Sequence, residues 1–150
     1  MKIEFLKKSE KKEILELLRE QHGISKLNFL LIKSGKEKIR GFSGSLSKEE
    51  IHKINGLIRI EGIGLYLARI EEYGIRLSLD ATHLLKNEIK KNIIELNDNE
   101  SARWMRGENL EVDKNMKGFF VVKNGENFLG SGKANEFRLF NFIPKERRVK

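Results

Sequence analysis

The 150-residue sequence has no cysteine, which excludes disulfides, thiolate nucleophiles, zinc–thiolate sites and iron–sulfur clusters together. That absence fits a reducing compartment, and the chain is expected in the cytoplasm. It has one proline, so no proline-rich linker divides it. Long apolar runs are missing as well: nothing approaches the roughly 20 residues that span a bilayer. Residues 1–8 are too short and too charged for a secretory signal. A soluble protein without a membrane partner is expected. Internal repeats, heptad arrays and low-complexity tracts are also lacking.

What remains is enough for a folded core, with 39% hydrophobic residues. Its length suits one ordinary domain or two small ones. Thirty basic residues stand against twenty-two acidic ones, a net charge of +8, and this sign favours an anionic partner such as nucleic acid or a membrane surface. Residues 1–85 and 86–150 each carry +4, and in the second part the whole excess lies in residues 132–150. There the cations are interleaved with Phe137, Phe140 and Phe142. Such a tail is either a solubilising end or a phosphate-contacting edge. Those phenylalanines are read first as core fillers of a small barrel and second as stacking platforms.

Along the chain, Ser9 is positioned to cap a helix that runs to about His22 and stops at Gly23. Residues 27–31 alternate as a strand, and 38–43 return as a hairpin partner across Ser34-Gly35-Lys36. Ser47 and Glu50 have capping-box spacing, which starts a short helix with Ile51 and Ile54 on its buried side. Strands are expected at 57–60, 65–70 and 75–79, and a bridging helix at 80–85. The turn at 33–38 is too short for a parallel crossover. The fold class is therefore α+β: an antiparallel sheet with helices against one face. The first unit ends near residue 87, and the two units are expected to pack on each other.

A search for chemistry returns little. His22, His52 and His83 lie on three different predicted helices, and without cysteine or an i,i+4 pair their spacing makes no metal site. They are expected at the surface or the junction. Gly62-Ile-Gly64 lacks the third glycine and the helix of a dinucleotide loop. Gly130-Ser-Gly-Lys133 is not followed by the serine or threonine and helix of a phosphate loop. Gly41-Phe-Ser-Gly-Ser45 lacks the last glycine of a nucleophile elbow. Ser9 and Lys12 match a serine–lysine pair whose companions are missing. Asp80 precedes Ala81-Thr82 and reads as a helix cap before it reads as an acid or base. No cofactor motif is present, so neither cofactor nor catalysis is expected.

The last third is the informative part. Asp98 or Asn99 can cap a short helix that Gly107 ends in a left-handed conformation. Arg103 and Arg106 share a face of it. Short β runs follow at 109–112, 119–123, 128–134 and 137–142, after a first strand at 92–96. This order, with Lys117-Gly118 leading into Phe119-Phe120-Val121-Val122 and then Leu129-Gly130-x-Gly132-Lys133-Ala134, resembles the PUA domain, an RNA-binding pseudo-barrel. The resemblance covers roughly residues 91–150, and VVKNGENFLGSGKA is its most telling piece. Many PUA domains have Gly-Val shortly after the helix, where Glu111-Val112 stands here. The stretch Phe142-Ile143-Pro144-Lys145-Glu146-Arg147-Arg148 resembles the tails of RNA cytosine methyltransferases of the RsmF and NOL/NOP/Sun type. A small domain before a PUA domain is similar to the Nip-type factor of large-subunit ribosome biogenesis, with IRLSLDATHLL, residues 75–85, at the junction.

The resemblance implies a small N-terminal α+β domain, residues 1–87, before a PUA-like pseudo-barrel, residues 88–150. It implies a non-catalytic RNA-binding protein that holds structured rRNA or tRNA during rRNA maturation, modification or ribosome biogenesis. The alternative is an accessory module that docks, through its N-terminal domain, on an RNA methyltransferase or another assembly factor. Arg103, Arg106, Lys133, Arg138, Lys145, Arg147 and Arg148 are expected to form one cationic groove for phosphates. Backbone groups at Gly107 would add shape or 2′-hydroxyl recognition. Trp104 is either a core anchor or a base-stacking ring.

Overall fold

In the computed structural model, which describes residues 2–150, the first helix runs over Lys8–His22 (α1). Ile14 and Leu18 are one turn apart and bury the same side. Its start lies at Lys7 and not at Ser9: the backbone N–H of Lys7 donates to the Glu10 carboxylate at 2.7 Å. Gly23, at φ 73°, ends the helix in the left-handed region.

Around α1 the chain forms a five-stranded antiparallel meander of β1 (Glu4–Phe5), β2 (Leu30–Ser34), β3 (Lys38–Phe42), β4 (Leu65–Glu71) and β5 (Gly74–Leu77), in that spatial order. Neighbouring residues of β2 point to opposite faces, and the two faces have different covers. Leu31 packs with Ile14 and Leu18 of α1, whereas Ile32 packs with Ile3 and with Ile51 of the second helix, α2 (Lys48–Leu57). The helices therefore lie on both faces of this sheet and not on one. Ser47 caps α2 as its capping box predicts, with Ser47 N–H donating to Glu50 at 2.7 Å.

Residues 57–60 form no strand: Leu57 closes α2, and no strand pairs with the three residues that follow. The N–H of Ile60 turns back to Asn55 Oδ1. A third helix, α3 (Leu79–Leu84), follows β5 and is capped by Ser78, whose hydroxyl accepts from Ala81 N–H at 3.0 Å. Asp80 thus sits inside the first turn and is not the cap.

The second sheet contains β6 (Ile93–Glu95), β7 (Leu110–Glu111), β8 (Gly118–Asn124), β9 (Asn127–Asn135) and β10 (Arg138–Asn141), in the order β6-β8-β9-β10-β7, with β6 parallel to β8. The fourth helix, α4 (Asp98–Met105), connects β6 to β7. Its cap is Asn97, and not the predicted Asp98 or Asn99, which lie one and two residues further on. The sheet curls into a half-barrel around Leu96, Trp104, Leu110, Val122, Ala134, Leu139 and Ile143. Gly132 lets β9 approach its neighbour: a Cβ there would lie 2.8 Å from Leu139 and from the Phe140 carbonyl. Trp104 is fully buried and its indole N–H donates to the Leu129 carbonyl at 2.8 Å.

The largest core crosses from one sheet to the other, joining α1, β2 to β5 and Leu85 to Val121 and Phe128 of the curled sheet. The end of α1 holds the intervening segment. Lys90 N–H donates to the His22 carbonyl at 2.7 Å, and the Asn92 amide donates to the Gln21 carbonyl. The Gln21 side chain bonds both backbone groups of Ile75, closing the free edge of β5.

His22 was expected at the surface or the junction; it lies at the junction and is fully buried, its Nδ1 3.2 Å from the Lys91 carbonyl. Burial pushes its imidazole down to about 4. Above pH 6.5 the group is neutral both folded and unfolded, so it exerts no penalty. As the pH falls below 6.5 the unfolded chain takes up a proton that the folded chain refuses, until the folded value near 4 is passed. The expected loss is about 2 kcal/mol between pH 6.5 and 5, above most of the carboxylate range. Urea unfolding at these two pH values should show it in the wild type and not in His22→Gln.

Candidate nucleic-acid interface

Gly107, at φ 93°, reverses the chain directly after α4. That reversal brings Glu108 back beneath the arginines of the helix: Arg103 Nε lies 3.4 Å and Arg106 Nη2 3.1 Å from its carboxylate. Two cations share one anion, so the cluster keeps a net positive charge. The three side chains are 39%, 50% and 45% exposed, and ion pairs so open to water stabilise by only about 0–1 kcal/mol. A phosphate can displace the carboxylate at little cost. The amide of Gly107 is already used, donating to the Trp104 carbonyl at 2.9 Å. Its α-carbon is covered by the Arg148 side chain, which would collide with any Cβ there. Arg148 in turn donates from Nε to the Ile143 carbonyl at 3.1 Å. Arg148 is thus a clamp between the tail and the end of α4, and Gly107 provides the space for it.

Lys133 and Arg138 occupy a different surface. Phe119, Lys133 and Phe140 are paired in register across β8, β9 and β10, so their side chains stand in a row on the face of the curled sheet away from its interior; Phe119 is itself buried against Gly74 of β5, and Phe140 is exposed. Lys133 lies over the Phe119 ring at 5.5 Å and Arg138 over Phe140 at 6.0 Å. The barrel interior takes the alternate residues, Ala134 and Leu139. Contrary to the expectation of core fillers, Phe137, Phe140 and Phe142 are 55%, 38% and 36% exposed. Phe137 sits in the β9–β10 turn, where φ is positive at both Glu136 and Phe137.

This face continues onto the first sheet. The Arg76 guanidinium lies 4.0 Å from the centre of the Phe142 ring. Lys38, Arg69 and Arg76 are paired across β3, β4 and β5, which places three cations in one row. Glu37 and Glu71 partly neutralise them, and Glu37 holds the Arg69 guanidinium further above its already high range. Arg147, on the 3₁₀ turn Lys145–Arg147, reaches Asp80 of α3 at 3.1 Å, with both side chains about two-fifths exposed. Lys145 is exposed on the same turn.

The predicted residues therefore do not gather into one groove. Arg103, Arg106, Gly107 and Arg148 meet at the end of α4, Lys133 and Arg138 lie on the outer strand face, and Arg147 stands where that face meets α3. Sequence reading missed Lys38, Arg69 and Arg76. The alternation Ile75-Arg76-Leu77 put Arg76 opposite the core face, but only the strand register aligns it with Arg69. Among the described residues no group of three or more His, Cys, Asp or Glu side chains is placed to hold a metal ion, and no helix is long and apolar enough to cross a membrane. His52 meets the Phe5 ring edge-on at 5.1 Å, and His83 Nε2 lies 2.8 Å from the Phe128 carbonyl at the junction.

Comparison with known proteins agrees with the second sheet. Residues 91–149 match the family model of the PUA domain of methyltransferase RsmF. No curated protein matches the chain.

Proposed function

From the premise that residues 91–149 form a PUA domain resembling the tails of RsmF-type methyltransferases, an RNA-binding module, we propose that this is a non-catalytic RNA-binding protein. It holds structured rRNA or tRNA in the cytoplasm during rRNA maturation, modification or ribosome assembly. Residues 88–150 supply the RNA-binding domain and residues 1–87 the unit packed against it. The family match carries this reading. It is supported by the half-exposed cations at the end of α4 and on the outer strand face.

In this reading Arg103, Arg106, Lys133, Arg138, Lys145 and Arg147 contact phosphates, which sets affinity and position with little sequence information. Gly107 and Arg148 contribute by shaping the end of α4. Docking on a methyltransferase or assembly factor is a second reading, favoured by the exposure of Leu57 at 78% and Ile58 at 64%. Titrating salt against the affinity for a single-stranded RNA separates the two. Six such contacts give a log–log slope of about −4, whereas a protein-docking module shows little salt-dependent RNA affinity.

A further inference from the structure

A cavity of about 620 Å³ lies where α3, α4, the β8–β9 turn and the C-terminal tail meet. Its lining has two characters. Met105, Phe128, Leu129 and Val149 form an apolar part, while Lys86, Arg106 and Lys150 bring three cations to it against the single carboxylate of Glu126. The volume falls in the range of small-ligand sites, which are mostly apolar with a few convergent polar groups.

A second observation points to a ligand. Ser101, 9% exposed, lines the cavity, and its Oγ has no hydrogen-bond partner among the described residues. A buried hydroxyl without a partner is costly to the free protein, and rotation of Ser101 toward a polar ligand in the cavity would satisfy it. Asn124 stands nearby with its amide Nδ2 donating to Asp98 Oδ1 at 2.8 Å, which orients the group. Tail and helix are joined beside the cavity by Val149 N–H donating to the Met105 carbonyl at 2.8 Å. The wall is therefore built by backbone bonding as well as by side chains.

We propose that this cavity receives one unpaired nucleotide of the bound RNA, its base against Met105, Phe128 and Leu129 and its phosphate near Lys86, Arg106 and Lys150. The inference rests on the RNA-binding reading and adds to it a site for a single base. An apolar ligand would leave three cations and the Ser101 hydroxyl unused. A base paired in a helix could not enter, because its faces are stacked and its edge is occupied. An extruded base offers a flat apolar face, a hydrogen-bonding edge for Ser101 and Asn124, and an anion at its side. Arg106 is held by Glu108 at the surface, and a phosphate would draw it toward the cavity.

The test uses the full chain and a single-stranded RNA decamer with one 4-thiouridine, alone or annealed to its complement. Near-ultraviolet crosslinking of the single strand should map to α4 and the β8–β9 turn, and the duplex should lose that signal. Ala102, exposed on α4 and lining the cavity, offers an uncharged plug. A102W should weaken single-strand binding roughly tenfold, the scale of one lost base stack, while A102S should not. S101A should leave the melting temperature unchanged or raised and still weaken binding, which a purely structural serine would not do. Crosslinks confined to the outer strand face, equal crosslinking of the duplex, or full affinity in A102W would overturn the nucleotide site and leave RNA binding standing. Loss of RNA binding in the wild type itself would overturn both.

Discussion

Replacing Arg103, Arg106 and Arg147 together with alanine should lower RNA affinity roughly 50-fold at 0.15 M salt, while the protein stays folded. The estimate takes about 0.7 released counterions per phosphate contact on a single strand, which makes each contact worth a factor of three to four. The salt slope should fall by about 2 at the same time. The substitutions also leave Glu108 and Asp80 without their partners, so two uncompensated carboxylates remain beside the RNA path. All three ion pairs are open to solvent, so the cost to folding is about 1 kcal/mol or less for each. Filter binding across a salt series, beside a thermal melt, measures both quantities. An unchanged affinity would move the phosphate contacts to Lys38, Arg69 and Arg76 or to the outer strand face. Arg148→Ala is kept apart from this set, because Arg148 bonds the Ile143 carbonyl and covers Gly107. Its removal confounds charge with packing.

Trp104→Ala should have the largest effect on stability, about 3–5 kcal/mol, which is a large part of the 5–15 kcal/mol typical of a folded domain. The indole is fully buried among Leu110, Val122, Leu139 and Ile143. Truncation opens a cavity there and leaves the Leu129 carbonyl without its donor at 2.8 Å. Trp104→Phe fills part of the space but not the hydrogen bond, and should fall between. Because this is the only tryptophan, its fluorescence reports directly on the barrel interior. Emission of the wild type should be blue-shifted and insensitive to added RNA. Quenching by RNA, or a Trp104→Phe variant that keeps its stability and loses RNA binding, would restore the indole as a stacking ring.

The features that local chemistry controls were legible in the residues. Gly23 and Gly107 end their helices because a left-handed backbone costs glycine little. Ser47 and Glu50 satisfy the free amides of α2 whatever surrounds them. The glycine and valine pattern of residues 118–134 carried the likeness to the PUA domain that the family match supports. Errors arose where a segment's partner decides its state. Residues 57–60 are apolar enough for a strand, yet no neighbouring strand pairs with them.

Sequence alone determined the glycine stops of the first and fourth helices, the capping box of α2 and the antiparallel hairpin of β2 and β3, because each depends on backbone preferences within a few residues. Only the tertiary structure decided which side of each strand faces inward. Leu139 fills the barrel, so Phe140 and Phe142 remain half-exposed beside Arg138 and Arg76. It also decided which charges meet: Arg147 and Asp80 lie 67 positions apart in the chain, and a side chain's charge does not reveal what will neutralise it. Strand register and the packing of distant segments set those contacts, and neither is encoded in the period of a single stretch.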